Sequence, residues 1–164
     1  MLREIMRLLR PLEAQTSIRW VNRDLAIGFP SPADGWRAMR ARGVLAVVDL
    51  SEERSAVGTT VREHGMRYLR LSTDRVGLPE VEELHIVTSW IQERISEGGS
   101  VLIYDTSPRG NDAIVATAVL IKGGFAIARA LARTRGLCKV QLSESQLALL
   151  HQFVAQLKVA ANRR

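Results

Sequence analysis

The run Val44-Leu-Ala-Val-Val-Asp-Leu50 shows no polar/apolar alternation and is rich in β-branched residues. A strand of this kind is buried on both faces, which is the condition of a parallel sheet covered by helices. Val101-Leu-Ile-Tyr104 repeats the pattern, and Ala113-Ile-Val-Ala-Thr-Ala-Val-Leu-Ile121 is apolar on every side, as a central buried helix must be. Shorter strands are expected at 18–21, 25–28 and 66–71. Helices are expected from a Ser31-Pro32 start to Arg42-Gly43, over Thr60–His64, from the Glu80, Glu82 and Glu83 turn through Ile95, over Phe125–Arg133 and over Leu147–Ala160. Ser143-Glu-Ser-Gln146 matches a capping box before the last of these. Strands alternating with helices predict an α/β domain, with a mostly parallel central sheet of about five strands flanked by helices.

Residues 2–10 read separately as an amphipathic helix, with Leu2, Ile5, Met6 and Leu9 at helical spacing and Pro11 as its stop. The expected organisation is therefore an N-terminal helix over 1–15 and one α/β domain over 16–164. That length suits a single core. No apolar run approaches the roughly 20 residues that cross a bilayer, and the charged start does not fit a secretory signal. The single cysteine, Cys138, excludes an internal disulfide and a multi-cysteine zinc site. A cytoplasmic location is the expectation.

Charge is segregated along the chain. The total is +6, made of +4 over residues 1–42, −5 over 43–121 and +7 over 122–164. Basic ends suit an acidic partner, and a protein partner is expected. Aromatic residues make up 5%, and no zinc finger or aromatic interleaving accompanies the arginines, so nucleic acid is not expected. Oligomeric state is left open.

In open α/β sheets ligands bind beyond the carboxyl ends of the strands. The segment to inspect is Val101 to Asp112, a buried strand, a tight loop and the start of a buried helix, whose amides suit an anion. Upstream stand Trp20-Val-Asn-Arg-Asp-Leu-Ala-Ile-Gly28, Pro30, and Gly43 to Glu53 with its acidic turn. Asp74 precedes Pro79, and downstream come Ala130 to Gly136, Gln146 and Phe153. In order and spacing these pieces, over roughly Ile18 to Phe153, resemble the dual-specificity branch of the cysteine-dependent protein tyrosine phosphatases. The resemblance implies a dual-specificity phosphatase-like fold and a phosphate loop of His-Cys, five residues, then Arg. It also implies a general-acid aspartate, at Asp74.

Laid on that loop, the phosphate-loop positions are Tyr104, Asp105, Thr106, Ser107, Pro108, Arg109, Gly110, Asn111 and Asp112. Tyr104 stands at the His, Asp105 at the nucleophilic Cys, Asn111 at the invariant Arg and Asp112 at the hydroxyl position. Pro108 stands where a glycine is usual, and it removes one amide donor. Asp105 lacks the polarizable thiolate that attacks phosphorus. As a fixed carboxylate it is expected to repel phosphate, and Asn111 cannot form arginine's bidentate clamp. Asp105 is expected to accept the loop's own amides between Thr106 and Asn111, with Asn111 or Asp112 as N-cap.

The reading is a catalytically inactive phosphatase-like domain, a pseudophosphatase, with a binding or scaffolding role, no cofactor and no confidently catalytic residue. Asp105, Asn111 and Asp74 are its degenerate-site positions, and solvated or capping carboxylates are preferred to a metal site. The competing reading is a phosphoester hydrolase of altered mechanism using Asp105, with or without a metal ion held by Asp74, Asp105 and Asp112. Tyr104-Asp105 loosely resembles haloacid-dehalogenase-like phosphatases. Ser107 stands where those have a second aspartate. Arg75 and Arg109 are candidate rim contacts for an anion, with exposed salt-bridging arginines the commoner reading. His64, His85 and His151 have no ligand spacing, and Cys138 reads as an inert hydrophobe.

Overall fold

The computed structural model describes residues 17–32, 34–51, 56–71, 77–107 and 109–163. The expected helix over 2–10, together with Asp74, Arg75 and Pro108, lies outside the described residues. In chain order the elements are β1 (Arg19–Trp20), β2 (Leu25–Gly28), α1 (Gly35–Ala41), β3 (Val44–Asp49), α2 (Val57–Glu63) and β4 (Arg67–Arg70). They continue with α3 (Val81–Ser96), β5 (Ser100–Tyr104), α4 (Asn111–Lys122), α5 (Ile127–Cys138) and α6 (Glu144–Ala161). The five strands form one sheet in the order β1-β2-β5-β3-β4. Only β1 runs antiparallel, so the mostly parallel sheet inferred from the apolar runs is the sheet observed.

The two faces of the sheet bury different residues, as the two-residue strand period requires. Leu25, Ile27, Val101 and Ile103 face a large core built with α3, α4, α5 and α6. Ala26 and Leu102 point the other way, onto Trp36 of α1 and Val61 of α2. β3 breaks phase once: a register shift between Val44 and Ala46 turns Val44 to the α1 side together with Val47. Leu45, at the shift, packs against Gly99, where a Cβ would come within 2.5 Å of its Cδ1.

α4 is the hub. Nine of its twelve residues, Asn111 and Ala113–Leu120, are buried. Its one interior hydroxyl is satisfied twice, because Thr117 donates to the Ala113 carbonyl and meets Thr134 of α5 at 2.8 Å. Fully buried Leu150 and Phe153 of α6 complete the same core.

Four helices begin or end three or more residues from their expected positions, and one of them is α6, which starts at Glu144 rather than Leu147, directly after its Ser143 cap. The Ser31-Pro32 start is displaced to Gly35, with Asp34 at the N-cap; the Gly35 amide bonds Ser31 O, and a Cβ at Gly35 would meet Pro30 at 2.6 Å. That contact with Pro30 sets where α1 begins. α2 starts at Val57 rather than Thr60, because Gly58 fits beneath the Tyr68 ring. α5 runs to Cys138 rather than Arg133, since Gly136 lies on an exposed face, and it ends where Lys139 turns left-handed at φ 52°. The Ser143–Gln146 capping box is present as expected, and the Glu80–Glu83 pair forms a second one.

Ile114 of α4 is fully buried between the sheet and the outer helices. Ile114→Ala is expected to cost about 2–5 kcal/mol of stability. In urea denaturation this appears as a lower midpoint at an unchanged m-value.

Candidate active site

The carboxyl ends of the four parallel strands form a row, because register pairs Gly28 with Tyr104, Tyr104 with Asp49 and Asp49 with Arg70. Central β5 delivers its next residue, Asp105, into the middle of that row. The Leu50 amide bonds Tyr104 O at 2.9 Å, and the Asp105 amide reaches Gly28 O at 3.4 Å. From there Thr106 and Ser107, and then Arg109 and Gly110, lead to a tight turn into α4.

The sharpness of that turn comes from Gly110, the N-cap of α4, at φ 83°. Beyond the conformation, a Cβ at Gly110 would meet Val140 at 2.7 Å. Neither Asn111 nor Asp112 serves as the expected N-cap. Asn111 is the first helical residue, and its side-chain amide donates to Gly77 O across the loop. Asp112 accepts the Ala113 amide at 2.8 Å. A further clamp was not anticipated: Gln146, part of the α6 capping box, also donates from Nε2 to Arg109 O at 2.8 Å. Its position in the box was legible, whereas its reach back to the loop depends on how α6 packs.

Tyr104, Asp105, Thr106, Ser107, Arg109, Gly110, Asn111 and Asp112 thus lie on one strand–loop–helix unit. Asp105 accepts the Ser107 amide at 2.8 Å, and the Ser107 hydroxyl in turn accepts the Arg109 amide at 3.2 Å. The expectation of several amides around Asp105 is met by one such bond, and its Oδ2 is buried without a hydrogen-bond partner among the described residues.

This geometry changes the charge of the site. Asp105 is 4% exposed. Burial lifts its carboxyl to about 7, with the Asp112 and Asp49 carboxylates adding to the rise and the Ser107 and Asp112 amides opposing it. Asp105 is therefore not the fixed anion expected from sequence but a group that titrates near neutrality. Asp112 is also raised, mainly by burial, against the pull of the Ala113 amide and Arg19. Tyr104, packed on Trp36 with ring centroids 5.6 Å apart, is raised by burial and by the Asp49 and Asp105 charges.

Beside the loop lies a cleft of about 590 Å³, whose walls include Asp105, Ser107, Asp112, Arg19, Lys139 and Cys138. Arg19 and Lys139 were not singled out from sequence, because they come from β1 and the end of α5. Cys138 offers no substitute nucleophile. It is 7% exposed, and burial, with the Asp112 charge, pushes its thiol up to about 12, so it stays protonated. Asp49 is fully buried and satisfied by the Ser51 amide and hydroxyl and the Tyr68 hydroxyl, a structural anchor at the strand end. Among the described residues no three His, Cys, Asp or Glu side chains converge to hold a metal ion. None of the described helices is long and apolar enough to cross a membrane.

No family model and no curated protein matches the sequence. Solved structures do. Tk-PTP in its active form superposes with a TM-score of 0.72 at 24% identity, covering 85% of this chain and 97% of its own. PTPMT1 in complex with PI(5)P gives 0.77 at 19% identity, covering 88% and 98%. Human DUSP28 gives 0.72 at 20% identity, covering 87% and 99%. The likeness is one of fold: the chain has the α/β fold of the dual-specificity and protein tyrosine phosphatases.

The raised Asp105 carboxyl has a measurable consequence. An unfolded aspartate ionises near pH 3.9, so between that value and about 7 the folded state holds a proton that the unfolded state has released. The stability tied to that proton is full below pH 4 and lost as pH rises through 7. Asp105→Asn removes the titration. Its Tm relative to the parent protein is expected to rise by several degrees between pH 4 and pH 8, and parallel Tm curves for the two proteins would contradict the assignment.

Proposed function

We propose that this phosphatase-fold domain performs no cysteine-type phosphoryl transfer and works as a non-enzymatic binding or scaffolding domain, a pseudophosphatase with a degenerate phosphate loop. The observation that carries the reading is the pair of residues at the two chemical positions of the loop. Asp105, at the place of the nucleophile, is buried and tied to the Ser107 amide. A carboxylate there takes up the Ser107 amide, a donor that would otherwise help lower a thiol pKa or receive phosphate. Above pH 7 it also adds a negative charge where a phosphate dianion would sit.

Asn111, at the place of the arginine, is 4% exposed and spends its only donor group on Gly77 O. It has no charge with which to stabilise a transferring phosphoryl group, a role that charge-assisted bidentate contacts fill in such sites. The proposed organisation remains an α/β domain over 16–164, preceded by an amphipathic segment over 1–15.

The second reading, a hydrolase that uses Asp105, is favoured by one feature, a carboxyl of about 7 that is half-protonated at neutral pH. Hydrolysis of p-nitrophenyl phosphate separates the two. The expected result is no turnover above blank between pH 5 and 8, with or without magnesium. Turnover abolished by Asp105→Ala would establish the second reading. Millimolar orthophosphate is likewise expected to leave Tm unchanged at pH 8, where Asp105 is ionised.

A further inference from the structure

A second face of the molecule, remote in sequence from the 105–112 loop, has the features of a recognition surface. The Gly123-Gly124 turn separates α4 from α5, and a Cβ at Gly124 would meet nothing within 4 Å. Behind that open mouth, the start of α5 and the end of α6 enclose a groove of about 550 Å³, with an apolar floor of Ile121, Phe125, Ile127, Val154 and Leu157. Phe125 is 37% exposed, and Val159 nearby on α6 is 52% exposed.

The rim of this groove is basic. Lys158 lines it, and the Arg129 guanidinium lies 5.5 Å above the Phe125 ring. Counter-charge is scarce: residues 113–143 contain no aspartate or glutamate, and Glu144 is the only acidic residue from 122 to 164. The ion pairs among the described residues lie elsewhere, at Arg23–Asp24, Arg67–Glu97 and Arg94 with Glu93 and Glu97.

We propose that this groove docks an acidic amphipathic helix of a protein partner, with the apolar stripe on the floor and carboxylates facing Arg129 and Lys158. A concave apolar trough between two helices is the shape that receives a helix, and the basic rim selects acidic flanks over basic ones. The chain's own residues 1–16 complement it poorly, since they carry three arginines against two glutamates. The inference adds a partner class to the binding reading. It uses a face that the phosphatase assay does not touch, so either can fail alone.

The test is fluorescence anisotropy of the full chain with a labelled synthetic helix bearing Leu at i, i+4 and i+7 and Glu on its flanks. Saturable binding is expected, weakened by added salt and by about tenfold in Arg129→Glu with Lys158→Glu. Phe125→Ser is expected to weaken it comparably, while Asp105→Asn binds like the parent protein and the melting curves of the groove variants stay unchanged. Equal affinity for the same helix with Lys flanks would overturn the proposal. So would tighter binding of a peptide of residues 1–16, or binding to phosphatidylserine vesicles with none to the acidic helix.

Discussion

Burial of α4 is the constraint on which the rest of the structure depends. A helix with nine of its twelve residues inside must be wrapped by the sheet on one side and by α3, α5 and α6 on the others. Its N-terminus is thereby fixed at the carboxyl edge of β5, and the short turn through Gly110 follows from the small distance between them. Of the two buried polar side chains of this helix, Thr117 finds both a carbonyl and the Thr134 hydroxyl, and Asn111 donates to Gly77 O.

The same burial governs the chemistry of the loop. Amides at a helix N-terminus favour negative charge, yet Asp105 sits deep enough, and close enough to Asp49 and Asp112, that desolvation and like-charge repulsion outweigh the amides. In a loop of this shape that carried a thiolate and an arginine, the permanent cation would offset the charge of the thiolate. Here Asn111 supplies no charge, and the site holds its proton into the neutral range. Desolvation and the neighbouring carboxylates thus hold Asp105 nearer its neutral form than an exposed aspartate would be.

Support from outside the loop is what keeps it in one shape. Gln146 reaches Arg109 O from α6, Asn111 reaches Gly77 O from α4, and Val140 fills the space that any side chain at position 110 would need. These contacts join segments thirty or more residues apart.

Much of the fold was legible in the sequence. The unbroken apolar runs of β3 and β5 demand two-sided burial, and the all-apolar 113–121 stretch demands a central helix. The capping box at Ser143 was equally readable, because all three are local patterns with one physical solution. The starts of α1 and α2 and the end of α5 were not, since they depend on Gly35 against Pro30, on Gly58 under Tyr68 and on the exposure of Gly136. For the site, sequence alone determined which residue types occupy the loop. Tertiary structure alone decided the charge state of Asp105, the partner of Asn111 and the cleft walls at Arg19 and Lys139. The reason is physical: residue identity is a property of the chain, whereas desolvation and hydrogen-bond pairing belong to the surroundings that folding assembles.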